Sequence, residues 1–536
     1  MEDQRCSYDG CKERVNSPHD DTLCVFHAPA DKKGITVEEF NELIWRRINK
    51  KSSNFSGFIF PGDIYFRGEC KKEGGAIGFA GDVDFSKARF PGIAYFLGVL
   101  FAGDANFSKS LFSGDARFSR AQFSGDAFFD KARFSGGAWF AAAQFSECAE
   151  FEEVQFSGDV RFFTTQFSGD TFFEKAQFSA AAFFNEAQFS GDAFFTKTQF
   201  SGNIEFSETR FSGRAYFIGA RFSGKTTFSN ARFSRKADFS EAQFYGKTEF
   251  DHARFDSMAM FVDLIIKIHL RFHNIFLSEK AQFFFKSPRF DPVKEDLVLV
   301  KFDIVRFNPF SVHFGDIQHP EGKNKDSENK KALLIFRYCQ LKDVYFTNND
   351  MSLFSFYKSS FDEARFISSE WSAKRDHILH RKLGFDRNNV IPEESLLDDI
   401  RDHKDDAEYI KKIKEKYEIE DLNGFEDVAS LYRRMKTALD NTKDYQQASW
   451  FYFNEFEMKR KALEEEIENS LPKWKIFRWQ PLLWFYRQLK KIFSKYFFYF
   501  WYKVLAGFGE KPLWSFYWFL LGILGFTTLN YCIGLK

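Results

Sequence analysis

The chain has 536 residues with 75 basic and 75 acidic side chains, so its formal net charge is zero. The length exceeds what one hydrophobic core supports, and the balanced charge excludes an overall field that would draw the protein to nucleic acid or to an anionic membrane. Phenylalanine is the compositional outlier, with 76 residues, which is too many to be scattered without a pattern.

The N-terminal segment contains cysteines in a metal-binding pattern. Cys6, Cys11, Cys24 and His27 have the spacing C-x4-C-x12-C-x2-H, two close pairs separated by a loop. Such pairs are typical of a tetrahedral zinc site, because each pair can lie on one tight turn. We predict a zinc knuckle over residues 1–30, with structural zinc as the cofactor. Unliganded thiols are the alternative, and a closed site with four protein ligands would leave no open position for catalysis.

A short amphipathic segment follows. Residues 36–50 place Phe40, Leu43, Ile44 and Ile48 at helical spacing. We predict that residues 31–54 contain a helix that caps the structure formed by the next segment.

A strict period dominates residues 79–261. Phenylalanine recurs every eleven residues from Phe79 to Phe255, and a second series with the same period runs from Phe85 to Phe261, so the spacing alternates between five and six. Neither a helix nor a simple strand has this period. We predict a square coil of four short sides, with Phe and the small residue two positions before it pointing inward. Ser, Gly and Asp would form corners that need special dihedral angles, and successive coils would stack at roughly 4.8 Å.

The unit A-x-F-x-x, repeated in register, resembles the pentapeptide-repeat family. The resemblance implies a right-handed quadrilateral β-helix, which we place at residues 55–261; the handedness comes from the resemblance alone. The Phe columns are interpreted as core, which shows how the rod is built and not what it binds. In residues 262–371 the period becomes irregular around a polar loop at 319–331, and we predict irregular final coils there.

Charged helical segments are predicted in residues 372–471. Two helical runs separated by DNTKD favour an antiparallel hairpin. Residues 432–436 (YRRMK) and 451–461 (FYFNEFEMKRK) resemble motifs that follow the repeats in membrane-anchored pentapeptide proteins. Structural packing is the favoured interpretation of these motifs, and a partner-binding hairpin is the alternative.

The C-terminal segment predicts a membrane anchor. Residues 513–535 are uncharged and long enough to cross a bilayer as a helix, and the basic, aromatic residues 472–512 suit interfacial helices. A hydrophobic helix in the core of a soluble domain is the alternative. The predicted anchor residues are Leu513, Trp514, Trp518, Leu520, Leu521, Ile523, Leu524 and Phe526, and the predicted interfacial basic residues are Arg487, Lys490, Lys491, Lys495 and Lys503.

The predicted fold class is therefore mainly β: a right-handed quadrilateral pentapeptide-repeat β-helix with a C-terminal α-helical region and one transmembrane helix. The expected localisation is a single-pass membrane protein with the bulk of the chain in the cytoplasm, according to the positive-inside rule. The turn at residues 507–512 resembles the one before the first span of pentapeptide-linked ion channels. No pore loop follows it in this sequence, so we do not expect channel function of the chain itself.

The sequence predicts binding rather than catalysis. It contains no G-x-S-x-G, phosphate loop or dinucleotide fingerprint, so we expect no enzyme. The leading hypothesis is a membrane-tethered scaffold or receptor for a cytosolic protein, with a homo-oligomer through the span as a further expectation. A partial or regulatory form of a pentapeptide-repeat channel is one alternative.

DNA mimicry is the other alternative, because the resemblance implies that some family members bind topoisomerases through acidic faces. One stretch of the rod is rich in acidic residues, and we predict it as a partner face: Glu147, Glu150, Glu152, Glu153, Asp159 and Asp170. Residues 206–254 are instead rich in Arg and Lys, so the rod as a whole is near neutral, and the predicted membrane anchor would keep it from the nucleoid. We therefore do not expect a nucleic-acid partner. One continuous acidic face would favour mimicry, and a patchwork of charges would favour a scaffold.

Overall fold

The computed structural model describes residues 5–9, 11–15, 17, 20, 22–66, 78–291, 298–307, 312–318, 332–361, 364–374, 387–404, 406–417, 422 and 424–470. The chain divides into two compact units, Met1–Leu333 and Leu334–Lys536.

The first unit begins with a small cap. A 3-10 turn, Ala30–Lys32, precedes helix α1, Val37–Asn49. The helix starts at a capping box: the side chain of Thr36 accepts the backbone N–H of Glu39, and the side chain of Glu39 accepts that of Thr36. Phe40 is fully buried, with its ring 5.7 Å from that of Phe60, so the apolar side of α1 packs against the first coil.

A right-handed β-solenoid follows. Four parallel sheets form its four sides, because each two-residue strand pairs with the strand one coil later; Gln122 is paired with Gln144, and Phe123 with Phe145. We number these sides faces 1 to 4 in chain order from residue 78. On faces 1 and 3 of the regular coils the second residue of each strand points inward, and on faces 2 and 4 the first residue does.

The strands of face 1 are Gly78–Phe79, Leu100–Phe101, Gln122–Phe123, Gln144–Phe145, Gln166–Phe167, Gln188–Phe189, Arg210–Phe211, Arg232–Phe233, Arg254–Phe255 and Phe276–Leu277. The strands of face 2 in this unit are Val83–Asp84, Ala105–Asn106, Ala127–Phe128, Ala149–Glu150, Thr171–Phe172, Ala193–Phe194, Ala215–Tyr216, Ala237–Asp238, Ala259–Val262, Phe283–Lys286 and Val312–Gly315.

The strands of face 3 are Arg89–Phe90, Leu111–Phe112, Arg133–Phe134, Gln155–Phe156, Gln177–Phe178, Gln199–Phe200, Arg221–Phe222, Gln243–Phe244, Ile265–Ile266 and Arg289–Phe290. The strands of face 4 in this unit are Ile64–Tyr65, Ala94–Tyr95, Ala116–Arg117, Ala138–Trp139, Val160–Arg161, Ala182–Phe183, Ile204–Glu205, Thr226–Thr227, Thr248–Glu249, His269–His273 and Val298–Asp303. One further strand, Arg306–Phe307, lies outside these four sets.

Columns of phenylalanine fill the interior. Within a column the rings stack nearly parallel, as for Phe123 and Phe145 at 4.6 Å and 1°. Rings of two facing columns meet edge to face, as for Phe118 and Phe129 at 5.5 Å and 89°. Both geometries are favourable for aromatic quadrupoles, so the core is a regular ring lattice. The small residue beside each Phe is also buried, which leaves room for the ring.

The corners differ from the sequence-based expectation. Positive φ occurs at the corners where successive inward Phe residues are five positions apart, in residues such as Lys131 (φ 57°) and Glu153 (φ 54°). At the Gly-Asp corners glycine is needed for close approach: a Cβ on Gly158 would lie 2.5 Å from the carbonyl oxygen of Gly136 one coil before. The corner Asp side chains accept backbone N–H groups of the next coil, as Asp104 does from Asp126 at 2.9 Å.

The second unit combines irregular strands with helices. Its strands are Ala332–Arg337, which crosses the boundary, Gln340–Leu341, Val344–Thr347, Phe354–Ser355, Arg365–Ile367, Ser372–Lys374 and Arg387–Val390, with a 3-10 turn at Met351–Leu353. Phenylalanine stacking persists, since the rings of Phe346 and Phe366 lie 5.1 Å apart at 11°. The helices are α2 (Pro392–Asp402), α3 (Ala407–Tyr417), α4 (Phe425–Asn441) and α5 (Tyr445–Ser470).

The predicted fold class is wrong in its membrane part. Among the residues that the structure describes, no helix is long and apolar enough to cross a membrane. The longest of them, α5, has 26 residues, but acidic and basic side chains occur along it. The fold is a right-handed β-solenoid with a few C-terminal helices. Because no described helix could cross a membrane, the predicted single-pass membrane localisation is also wrong.

The predicted span at 513–535 and the interfacial segment at 472–512 lie outside the described residues. The same is true of all the anchor residues, Leu513, Trp514, Trp518, Leu520, Leu521, Ile523, Leu524 and Phe526, and of the basic residues Arg487, Lys490, Lys491, Lys495 and Lys503.

Candidate functional sites

The four N-terminal Cys and His residues lie together. One ligand atom from each of Cys6, Cys11, Cys24 and His27 can be chosen so that all four lie within 4.8 Å of one another. A tight turn forms at each pair, since the N–H of Cys11 donates to the carbonyl of Tyr8 and that of His27 to the carbonyl of Cys24. This cluster could hold a metal ion.

The spacing of the ligand atoms fits zinc. Nδ1 of His27 lies 3.1 Å from Sγ of Cys24 and 3.6 Å from Sγ of Cys6, and the Sγ atoms of Cys11 and Cys24 are 3.9 Å apart. Zinc bonds of about 2.0 to 2.3 Å in a tetrahedron give ligand separations of about 3.5 to 3.8 Å.

The orientation of His27 also fits a metal ligand. Its Nε2 lies 3.0 Å from the carbonyl oxygen of Ser56. Because a carbonyl only accepts hydrogen bonds, Nε2 carries the proton, and Nδ1 keeps a lone pair toward the thiols. Tyr8 stacks on the imidazole at 4.0 Å and fixes the ring plane.

A buried cation lies close to the cluster. Lys33 is fully buried, and its Nζ donates to the carbonyls of Val25 and Phe26 at 2.5 and 3.2 Å. Burial lowers the pKa of Lys33 to about 8. Burial also raises the pKa of the Cys24 thiol to about 12 and lowers the pKa of His27. Without a metal the Cys24 thiol therefore keeps its proton, and metal binding would release it.

Five of the six predicted acidic partner residues lie on face 2 or at the two corners that bound it. Glu150 points outward on face 2, and Glu147 and Asp170 lie at the corner between faces 1 and 2. Glu152 and Glu153 lie at the corner between faces 2 and 3, whereas Asp159 lies at the corner between faces 3 and 4. The first five residues therefore form an acidic patch around face 2, and Asp159 lies apart from it.

Several of these carboxylates have structural partners. Asp159 accepts the backbone N–H of Ala181 at 3.2 Å, and Asp170 accepts that of Asp192 at 2.8 Å. Oε2 of Glu153 lies 3.7 Å from Nζ of Lys131. Glu150 differs, because burial and the neighbouring charge of Asp130 raise its pKa to about 7.

The two sequence motifs of the second unit form a polar network between helices. The hydroxyl of Tyr432 in α4 donates to Glu394 of α2 at 2.9 Å and accepts the N–H of Ile391. Lys461 of α5 donates to Glu394 at 3.1 Å and to Asp398 at 2.9 Å. Glu394 is fully buried, so the motif residues Tyr432 and Lys461 satisfy a carboxylate inside the unit.

The comparisons bear on the repeat region. The family model for pentapeptide repeats, described as nine copies, matches residues 79–111, 107–146, 118–166, 184–232 and 228–274. These residues are pentapeptide repeats. A similar solved structure is that of trypsin-treated QnrB1, a plasmid-mediated fluoroquinolone resistance protein, with 19% identity over 32% of this chain and 84% of that chain and a TM-score of 0.14. No curated protein matches the chain.

One surface of the pentapeptide-repeat solenoid was missed by the sequence analysis. The outward positions of face 4 hold, in successive coils, Tyr65, Tyr95, Arg117, Trp139, Arg161 and Phe183. The signal was present in the sequence: the residue just before each inward Phe, sampled once per coil, gives this column. Lys33 and Glu394 had no such signal, because their partners are not periodic.

Proposed function

We propose that the protein is a non-enzymatic, protein-binding scaffold in which the pentapeptide-repeat solenoid is the rigid element and its outer surface binds a protein partner. The observation that supports this most strongly is the filled interior. Phe129 and Phe140 are fully buried with rings 5.5 Å apart at 90°, and the same contacts recur along the regular coils. Since the lumen of these coils is occupied by rings, interactions must use the outer faces.

The distribution of charge favours a scaffold over DNA mimicry. Five of the six acidic residues border face 2, but the six span little more than one coil of chain, and Lys131 and Lys175 both lie within 4.0 Å of Glu153. This patchwork is the arrangement expected of a scaffold. The alternative of a partial or regulatory channel depends on a segment outside the described residues and has no supporting observation.

The N-terminal cluster is proposed to hold a structural zinc ion through Cys6, Cys11, Cys24 and His27. A bound zinc ion would link the two turns that carry these ligands. His27 contacts the carbonyl of Ser56, and the N–H of Ile59 donates to the carbonyl of Phe26 at 2.8 Å. The ligand turns are therefore attached to the first coil, and the zinc site would stabilise that end of the solenoid against fraying.

Affinity capture tests the scaffold function. Tagged full-length protein would be recovered from the cells that produce it, and bound proteins identified by mass spectrometry. The matched control is Phe173→Ala, which disrupts the core of a central coil while leaving the outer side chains unchanged in identity. A partner that is enriched with the natural sequence and reduced with the control supports the proposal. Capture of no specific protein under several salt conditions would contradict it.

A further inference from the structure

The column on face 4 is a continuous stack of aromatic rings and guanidinium groups. The rings of Tyr65 and Tyr95 lie 4.2 Å apart at 10°. The guanidinium of Arg117 lies 5.0 Å from the ring of Tyr95 and 5.3 Å from that of Trp139. On the other side of Trp139, the guanidinium of Arg161 lies 4.5 Å from the indole. Five successive coils therefore present stacked planar groups on one side of the solenoid.

The composition and exposure of this column are those of a protein interface. Tyr, Trp and Arg are the residue types enriched in interface hot spots. Tyr65 remains 46% exposed, and the other five residues of the column are partly exposed. The long side chains are also held by their neighbours in the stack, so little side-chain entropy is left to lose on binding.

The charges on face 4 indicate the chemistry of the partner. Arg117 has one carboxylate nearby, Asp115 at 3.4 Å, and its Nε is buried without a hydrogen-bond partner. Arg161 makes no ion pair with any residue that the structure describes. Asp159, which stands in the position equivalent to Asp115, accepts the N–H of Ala181 as Asp115 accepts that of Gly137, but among the described residues it makes no ion pair with Arg161. A partner that covers these guanidinium groups must supply carboxylates, because burying them unpaired is costly.

The stacking also distinguishes a protein from a single-stranded nucleic acid. Recognition of single strands uses aromatic faces on which bases can stack. In this column the faces of Tyr95 and Trp139 are covered by neighbours one coil away, which leaves ring edges and guanidinium N–H groups toward solvent. This geometry suits carboxylates and apolar side chains of a polypeptide.

We propose that the face 4 column, from Tyr65 to Phe183, is a docking surface for an acidic protein segment. One carboxylate pairs with Arg161 and a second with Arg117, two coils away or roughly 10 Å along the solenoid. Apolar side chains of the segment pack against Trp139 and Phe183. This proposal rests on the scaffold function proposed above and specifies the surface and the partner's charge.

The test uses full-length protein and defined probes. Binding of a short labelled peptide of alternating Glu and Leu would be measured by fluorescence anisotropy, next to a Lys and Leu peptide and an oligothymidine. Arg161→Ala is expected to weaken binding of the acidic peptide about tenfold. Arg161→Lys keeps the charge but not the planar guanidinium, so its affinity for the acidic peptide is expected to lie between those of the natural sequence and Arg161→Ala. Arg133→Ala is the matched control, because Arg133 is an exposed arginine on face 3, and it is expected to leave binding unchanged.

The outcomes separate this proposal from the scaffold function itself. Equal losses in Arg161→Ala and Arg133→Ala, or equal binding of the basic peptide, would overturn the face 4 site. Tight oligothymidine binding that depends on Trp139 would replace it with a nucleic-acid site. If Arg161→Ala captures the cellular partner as well as the natural sequence does, the scaffold function is retained and the face 4 docking site is rejected. If the natural sequence captures no partner, the scaffold function is rejected.

Discussion

Two neighbouring phenylalanines allow a direct measurement of how much the inner columns stabilise the solenoid. Phe173 is fully buried, and its ring stacks between Phe151 at 4.8 Å and Phe195 at 5.0 Å. Phe172, one residue earlier, points outward and stacks on Phe194 at 4.9 Å. The two side chains have the same chemistry in the same coil and differ mainly in burial.

Replacing each by alanine should give very different losses of stability. Phe173→Ala removes a buried ring and leaves a cavity, because the rigid coils above and below cannot close over it, so we expect a loss of about 3–5 kcal/mol. Phe172→Ala removes a half-buried ring and one stacking contact, for which we expect a loss of about 1 kcal/mol.

Equilibrium unfolding in urea, followed by circular dichroism, measures both variants against the natural sequence. Repeat arrays can unfold in parts, so transitions would be compared by midpoint and by slope. Similar losses for the two variants, or a loss below about 1 kcal/mol for Phe173→Ala, would refute the columnar account of the core.

Further predictions concern the zinc site, a carboxylate and the helical network. Metal analysis of purified protein should find about one zinc per chain. Cys24→Ser should abolish the bound zinc, whereas Cys148→Ser, at a corner of the solenoid, should retain it. Finding no metal in the natural protein would show that the cysteines are free thiols. The pKa of Glu150 is raised from 4.5 to about 7, so its contribution to stability is present below pH 4.5 and is lost as the pH rises through about 7. Glu150→Gln should therefore gain stability relative to the natural sequence above pH 7, by at most about 1 kcal/mol because the side chain is only partly buried and solvent screens its charge. Thermal melts that show the gain only at low pH would contradict this. Lys461→Met leaves the carboxylate of Glu394 buried without its cation and should cost about 3–5 kcal/mol in urea unfolding. Lys436→Met breaks a partly exposed pair with Asp440 and should cost less than about 1 kcal/mol; equal costs would argue against the network.

The parts of the structure that depend on the repeat could be predicted from the sequence. The alternation of five and six residues is enough to place Phe173 inward and, by the same count, to place the small residue beside it. The Cys and His spacing similarly predicted that Cys6 and His27 belong to one cluster, because each close pair of ligands needs only a local turn.

Features that depend on non-periodic contacts could not be predicted. Tyr432 meets Glu394 across 38 residues of chain, and no spacing rule links them. The glycines at the Gly-Asp corners were assigned to special dihedrals, but Gly158 is required by the backbone of the previous coil. The transmembrane prediction used the uncharged length of residues 513–535 and the basic, aromatic residues before them, all of which lie outside the described residues. The helices that the structure describes carry charged side chains and pack through buried polar contacts such as that of Lys461.

Cross-linking mass spectrometry of the captured complex tests the scaffold function most directly. Lys225 and Lys247 lie at the corner between faces 3 and 4, and Lys131 lies at the corner between faces 2 and 3, so their amines report on a partner bound to the repeat region. Links between the partner and lysines of the solenoid, which disappear when the partner is released, are the predicted result. Links confined to residues after 334 would contradict the claim that the solenoid is the binding element.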